Sequence, residues 1–268
     1  MAMSDVLAEY MEGQLSDYYI CYFDILGYRA VFDKDSPEHT KFLATVKLAS
    51  GIVQSAIKHS KTSIPIQCKT YSDNFLLYVK KELVDERLAV KIFIRIAREI
   101  QIRFLSDEGL VLRGGITIGE FYADEALVFG KGLIRAVELE EKYAQVPRII
   151  IDEENFTIDL SSFINDGHLI RDFDGYCFVN YFDVGGLELI KGKCIRLIND
   201  NCKYPHNLKN PDKIAQTEKT ISKYLWLLSR FNSQCTRLGI SDFKIEYEVK
   251  INERLCKTEI FAKPLRKR

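Results

Sequence analysis

Tyr18-Tyr19-Ile20-Cys21-Tyr22-Phe23-Asp24-Ile25-Leu26-Gly27-Tyr28 decides how the rest of the chain is read. Tyr18 to Ile25 is aromatic and β-branched, the composition of a buried strand. It ends on a carboxylate beside a glycine turn. The next decisive stretch is Lys69-Thr70-Tyr71-Ser72-Asp73. Ile64 to Thr70 and Asn74 to Val79 read as two strands around Tyr71-Ser72-Asp73, a β-hairpin with Asp73 near its tip.

Between and beyond these stretches, helices and strands follow in turn. Ser36-Pro37-Glu38 reads as a helix start, with Ser as N-cap and Pro in the first position. That helix runs to about Ser60, with Phe42, Val46, Ile52, Val53 and Ala56 on its apolar face. Val84 to Leu105 is a second long helix. Leu110 to Gly119 alternates as a strand but carries three glycines, which weaken a strand unless something approaches its backbone closely. Gly130 to Tyr143 reads as a third helix, with Glu138, Glu140, Glu141 and Lys142 on wetter positions. Val146 to Ile151 is a further buried strand. The order predicts an α+β fold, a mainly antiparallel sheet with helices packed on it.

After Asp152 the texture changes, and the chain divides into a core of residues 1–152 and a C-terminal α/β extension of residues 153–268. Asp172-Phe173-Asp174-Gly175 is a turn signal before an aromatic strand, Tyr176 to Phe182. Asn199 to Asp212 reads as a loop, Lys213 to Leu238 as a long amphipathic helix, and Phe243 to Ile251 as a strand. Lys263 to Arg268 reads as a basic, frayed tail. Lys191-Gly192-Lys193 reads either as a surface hairpin or as a pair of lysines reaching a triphosphate.

Composition narrows the function classes. The 38 basic residues balance 38 acidic ones in a chain of 268, which argues against nucleic-acid binding through bulk positive charge. No apolar run approaches the roughly 20 residues that cross a bilayer. Met1 to Leu15 lacks the basic and apolar regions of a secretory signal. The 7 cysteines are scattered without a CxxC pair, the usage of a cytoplasmic protein with reduced thiols. The 4 histidines show no zinc spacing.

Asp24 and Asp73 stand out because neighbouring strands of an antiparallel sheet would bring them within one metal-binding radius. Magnesium and manganese prefer oxygen ligands and usually keep a nucleotide's phosphates as partners. Two carboxylates holding two ions would stabilise both the attacking and the leaving oxygen in phosphoryl chemistry. The plain alternative is that both aspartates cap turns.

Tyr22 to Tyr28 resembles the first metal motif of the class III nucleotidyl cyclases: an aromatic, one residue, Asp-Ile, one residue, Gly-aromatic. Lys69 to Asp73 resembles their hairpin motif, in which a base-reading residue stands four positions before the second metal aspartate. Leu112 to Gly119 resembles their glycine-bearing strand. Phe129-Gly130, Ala136, Pro147 and Ile149 to Ile151 resemble the dimer-facing helix and the strand after it. The resemblance covers about Tyr18 to Asp152. It implies a ferredoxin-like cyclase core, two Mn²⁺ or Mg²⁺ ions per site, a nucleoside triphosphate substrate and a homodimer with composite active sites. Asp24, Asp73 and the backbone carbonyl of Ile25 would be metal ligands. In such a reaction the ribose 3′-hydroxyl attacks the α-phosphate and pyrophosphate leaves.

Departures from the pattern refine the expectation. Ser72 replaces the usual glycine before the second aspartate. The usual asparagine and arginine of the dimer-facing helix align with Ile134 and Glu138. Lys131 and Arg135, one turn apart, are the candidate catalytic cations. The purine-reading aspartate falls near Leu127, so Lys69, Tyr71 and Leu127 are the candidate substrate-binding residues. These losses make the chain similar to the bacterial Pycsar pyrimidine cyclases. That likeness implies cyclic UMP or cyclic CMP production in antiviral (antiphage) defence, with a separate effector protein. Three alternatives stay open: an adenylate cyclase reading its base through Lys69, a catalytically silent nucleotide-binding regulator, and a diguanylate-cyclase-like palm domain echoed by Tyr71 to Phe75.

Overall fold

In the computed structural model the described residues are 15–27, 38–60, 63–205, 208–252, 255 and 257–263. The helix start expected at Ser36-Pro37, Tyr28, Cys256 and the tail beyond Lys263 lie outside them. The elements in order are β1 (Ser16–Ile25), α1 (Glu38–His59), β2 (Gln67–Tyr71), β3 (Asn74–Lys80), α2 (Glu86–Arg103), β4 (Leu112–Ala123), β5 (Val128–Phe129), α3 (Lys131–Glu138) and β6 (Ile149–Ile151). Then come α4 (Ser161–Asn165), β7 (Leu169–Arg171), β8 (Cys177–Val179), α5 (Val184–Asn201), α6 (Pro211–Arg237), β9 (Tyr247–Asn252) and β10 (Lys257–Ala262).

The fold is α+β. One sheet runs β2-β3-β1-β4-β6-β8-β7, with β5 paired to β4, and β9 and β10 form a separate ladder. Only the β4–β6 pair is parallel among the described strands. β7 and β8 continue the sheet beyond β6, so residues after Asp152 share it.

β1 is buried on both faces, which explains why its sequence is almost continuously apolar. Tyr19, Cys21, Phe23 and Ile25 face a core shared with Val53 and Ala56 of α1 and Phe93 and Ala97 of α2. Phe23 stacks on Phe75 at 5.2 Å. Tyr18 and Ile20 face the other way, against Leu76, Tyr78, Phe121 and Ala136. With period two, Tyr22 and Asp24 continue that second face to the strand end, where it turns polar.

The glycines of β4 answer a packing need. A Cβ on Gly115 would lie 2.5 Å from Leu139 Cβ, and one on Gly119 would lie 3.0 Å from Gly132 Cα. The α3 segment therefore lies directly on the β4 backbone.

Two expectations need correction. Lys191-Gly192-Lys193 is not a hairpin: it lies inside α5, whose N-cap Asp183 accepts from Gly186 N at 2.8 Å. There Lys193 donates to the Asp107 carbonyl at 2.8 Å and Lys191 sits over the Phe243 ring. Gly185, Gly186 and Gly192 dilute helix propensity and hide this helix in the sequence. Second, Glu140 is buried, not wet. A π-helical turn over Leu139–Tyr143 follows α3 and shifts the periodicity, turning Glu140 inward.

Candidate active site

A cleft of about 800 Å³ opens at the polar end of β1 and β3. Asp24 and Asp73 both line it, together with the Ile25 segment, Arg113, Glu140 and the N-terminal half of α6. The register explains the convergence. Asp24 pairs with Asn74 across β1 and β3, so Asp73 stands one residue further along, beside the end of β1.

The hairpin tip is two residues long, because Tyr71 pairs with Asn74. Ser72 takes φ = 57° and is the only non-glycine with positive φ among the described residues. Positive φ at the first central position is the pattern that normally selects glycine. Asn74 supports the tip: its Nδ2 donates to Asp73 Oδ1 at 3.4 Å, and its Oδ1 accepts from the Tyr22 hydroxyl at 2.7 Å.

On the other side of β1, Asp24 pairs in register with Arg113 of β4. Arg113 Nε donates to Asp24 Oδ1 and Nη2 to Oδ2, both at 3.0 Å. The same Nη2 stands 2.5 Å from Glu140 Oε1. Burial first, and the Asp24 charge second, push the Glu140 carboxyl up to about 8, while Arg113 opposes the shift. Burial, then Glu140 and Asp24, also raise the Tyr22 phenol well above its ordinary value. The floor of the cleft thus gathers two carboxyl groups, Asp24 and Glu140, around one guanidinium.

This donor set suits a hard divalent cation. The side-chain donors are oxygens, and an Asp24 carboxylate that accepts two bonds still has two lone-pair sites. Among the described residues no three His, Cys, Asp or Glu side chains form a preformed cage. A magnesium-type site draws one or two ligands from carboxylates and the rest from water and substrate phosphates.

The remaining candidate residues lie elsewhere on this chain. Lys131, 85% exposed in its side chain, pairs with Glu120 at 2.9 Å. Arg135 holds Asp152 through Nε at 2.9 Å and Nη2 at 2.8 Å, and Glu138 through Nη1 at 3.2 Å. The Asp152 hydrogen bonds raise the Arg135 guanidinium further, and the bonds from Arg135 and Thr117 outweigh burial to hold Asp152 below the usual carboxylate range. Lys69 donates to the Asp124 carbonyl. Asp124 Oδ1 in turn accepts from Ala126 N and Leu127 N at 2.7 and 2.8 Å. Lys69 and the Leu127 loop therefore come together, away from the cleft. Tyr71 and Leu127 are each 46% exposed.

Arg113, Glu140 and the α6 face escaped the sequence reading as site residues. Arg113 was visible only as part of the glycine strand. Glu140 was hidden by the π-helical turn. The six described cysteines are free thiols, five of them buried. No helix among the described residues is long and apolar enough to cross a membrane.

No family model matches the chain, and no curated protein matches it. Solved structures do. The catalytic core of a rhodopsin-guanylyl cyclase with converted specificity, in complex with ATPalphaS, is 15% identical over 62% of this chain and 96% of its own, at a TM-score of 0.47. The guanylyl cyclase domain of the RhoGC fusion protein from the aquatic fungus Blastocladiella emersonii, in monomeric form, is 15% identical over 61% of this chain and 93% of its own, at 0.46. The adenylate/guanylate cyclase/hydrolase from Silicibacter pomeroyi is 18% identical over 62% of this chain and 98% of its own, at 0.42.

Proposed function

We propose that this protein is a metal-dependent nucleotide cyclase that converts UTP or CTP to the 3′,5′-cyclic monophosphate and pyrophosphate. One observation carries the reading: Asp24 and Asp73, distant in sequence, line a single cleft at adjacent strand ends. Asp24, Asp73 and the Ile25 carbonyl would hold Mn²⁺ or Mg²⁺. Such ions, when bound, lower the pKa of a coordinated hydroxyl and offset charge on the α-phosphate. The 3′-oxygen bonds to the α-phosphorus as the bond to the bridging oxygen breaks, and the hydroxyl proton passes to solvent. Arg113 keeps Asp24 oriented and its charge partly neutralised. The Tyr22–Asn74 bond fixes the tip that presents Asp73.

The active assembly is proposed to be a homodimer. Lys69, Tyr71 and Leu127, with Lys131 and Arg135, sit outside their own chain's cleft, as residues serving a neighbouring copy's site would. Lys131 is the freer cation of the two. A core of residues 1–152 would then carry the chemistry, with residues 153–268 as its extension. The motif resemblance supports a cytoplasmic antiphage signal read by a separate effector. A silent nucleotide-binding regulator is the second reading, favoured by the commitment of Arg135 to Asp152 and Glu138.

The test is incubation of wild type and Asp73→Asn with each of the four triphosphates and Mn²⁺. We expect a pyrimidine cyclic monophosphate from wild type and a loss of about 10³-fold in the variant, equivalent to about 4 kcal/mol. Cyclisation of ATP alone would remove the pyrimidine assignment. Equal turnover by Asp73→Asn would remove the metal site, and nucleotide binding without product would favour the regulator.

A further inference from the structure

The α6 helix brings two lysines to the acidic cleft. Gln216, Lys219, Thr220 and Lys223 line it along one side of that helix. Lys219 and Lys223 are four residues apart, so their side chains share a face one turn apart. Among the described residues, neither ammonium closes an ion pair within 4 Å. Lys223 is half-buried, and burial and the Arg113 charge both lower its pKa while Asp24 opposes them. A half-buried ammonium without a close counter-ion is costly unless something else completes it. Asp24 favours the Lys223 charge only from beyond ion-pair distance, its close partner being Arg113 at 3.0 Å.

The missing partner follows from the charge layout. Asp24, Asp73 and Glu141 line the cleft on the sheet side, with Asp212 at the start of α6. A polyanion entering there needs cations beyond any that offset the carboxylates. Lysine is a mobile point charge suited to a phosphate that carries no fixed orientation. We infer that Lys219 and Lys223 bind the outer phosphates of the triphosphate, so that the C-terminal extension supplies part of its own chain's site. This deepens the cyclase reading and rests on it for the identity of the ligand. The face could instead serve as a clamp that closes the cleft, and the test separates the two.

The experiment compares wild type, Lys219→Met/Lys223→Met and Lys219→Arg/Lys223→Arg. Methionine keeps an unbranched stem and a good helix propensity. Binding of inorganic tripolyphosphate and of UMP, each with Mn²⁺, is measured by calorimetry, and triphosphate turnover is followed in parallel. The methionine pair is expected to lose about 100-fold in tripolyphosphate affinity, roughly tenfold per charge-assisted contact. UMP binding should hold within about twofold, and the arginine pair should retain most tripolyphosphate affinity. Equal tripolyphosphate affinity in the methionine pair overturns the inference, as does faster turnover, which would mark a clamp. Equal circular dichroism and urea midpoints exclude misfolding, and the arginine pair serves if the methionine pair fails that check: lost affinity despite retained charge would overturn the inference. If wild type binds tripolyphosphate through these lysines but cyclises nothing, the cyclase reading falls and the phosphate site stands.

Discussion

Replacing Arg113 with methionine would remove the one guanidinium that holds the floor of the cleft. The side chain is 24% exposed, Asp24 is 14% exposed and Glu140 is 4% exposed. Methionine roughly keeps the apolar stem but leaves the Asp24 carboxylate without its counter-ion, beside the Glu140 carboxyl. Removing one partner of a fully buried pair costs about 3–5 kcal/mol. With a quarter of the guanidinium still in water, screening brings the expected loss to about 2–3 kcal/mol. In a chain of this size that is a fall of about 4–12 °C in melting temperature. A divalent ion would take over the lost charge, so Mn²⁺ should restore more stability to the variant than it adds to wild type. At 100 times the dissociation constant, occupancy of one site adds about 2.7 kcal/mol. The assay is urea denaturation of both proteins in EDTA and over a Mn²⁺ series. If Mn²⁺ shifts both midpoints by the same amount, the argument that arginine and metal answer the same carboxylate charge is wrong.

Three further outcomes follow from particular residues. Ser72→Gly should stabilise the protein by about 1 kcal/mol, because φ = 57° at a non-glycine residue carries roughly that strain; an unchanged or lowered urea midpoint would refute it. Glu140 has a folded pKa of about 8 against an ordinary 4.5, so the fold prefers its protonated form. Its stabilising contribution is full below about pH 4.5 and is lost as pH rises through about 8. Glu140→Gln should therefore flatten the decline in denaturation midpoint between pH 5 and pH 9. Asp172 is fully buried and accepts from Arg148 at 2.5 Å, Arg230 at 2.6 Å and Trp226 Nε1 at 2.8 Å. Asp172→Ala should cost about 3–5 kcal/mol by stranding these groups, and a calorimetric loss below 1 kcal/mol would contradict that.

The sequence was most legible where pattern and chemistry coincide. β1, the β2–β3 hairpin and α2 follow from periodicity and turn residues, and the two aspartates follow from their places at strand ends. Register then brings Asp24 and Asp73 to one cleft. Glu140 was illegible because a π-helical turn breaks the period on which a helix-face reading depends. The α5 helix was illegible because three glycines mask its propensity, although Asp183 caps it. Lys219 and Lys223 lay on an element read correctly as a helix. Their proximity to the cleft depends on how residues 184–262 pack back onto Leu26 and Ile150, which no local pattern encodes.

Trp226 is the only tryptophan in the chain and stands three residues beyond Lys223 on α6. Its ring lies 5.3 Å from Phe178 and 6.1 Å from Phe182, and it is 6% exposed. Indole emission shifts to longer wavelength when water reaches the ring. The molecule therefore carries a single built-in fluorophore on the helix that borders its cleft, and unlabelled protein can report in real time whether that helix is seated.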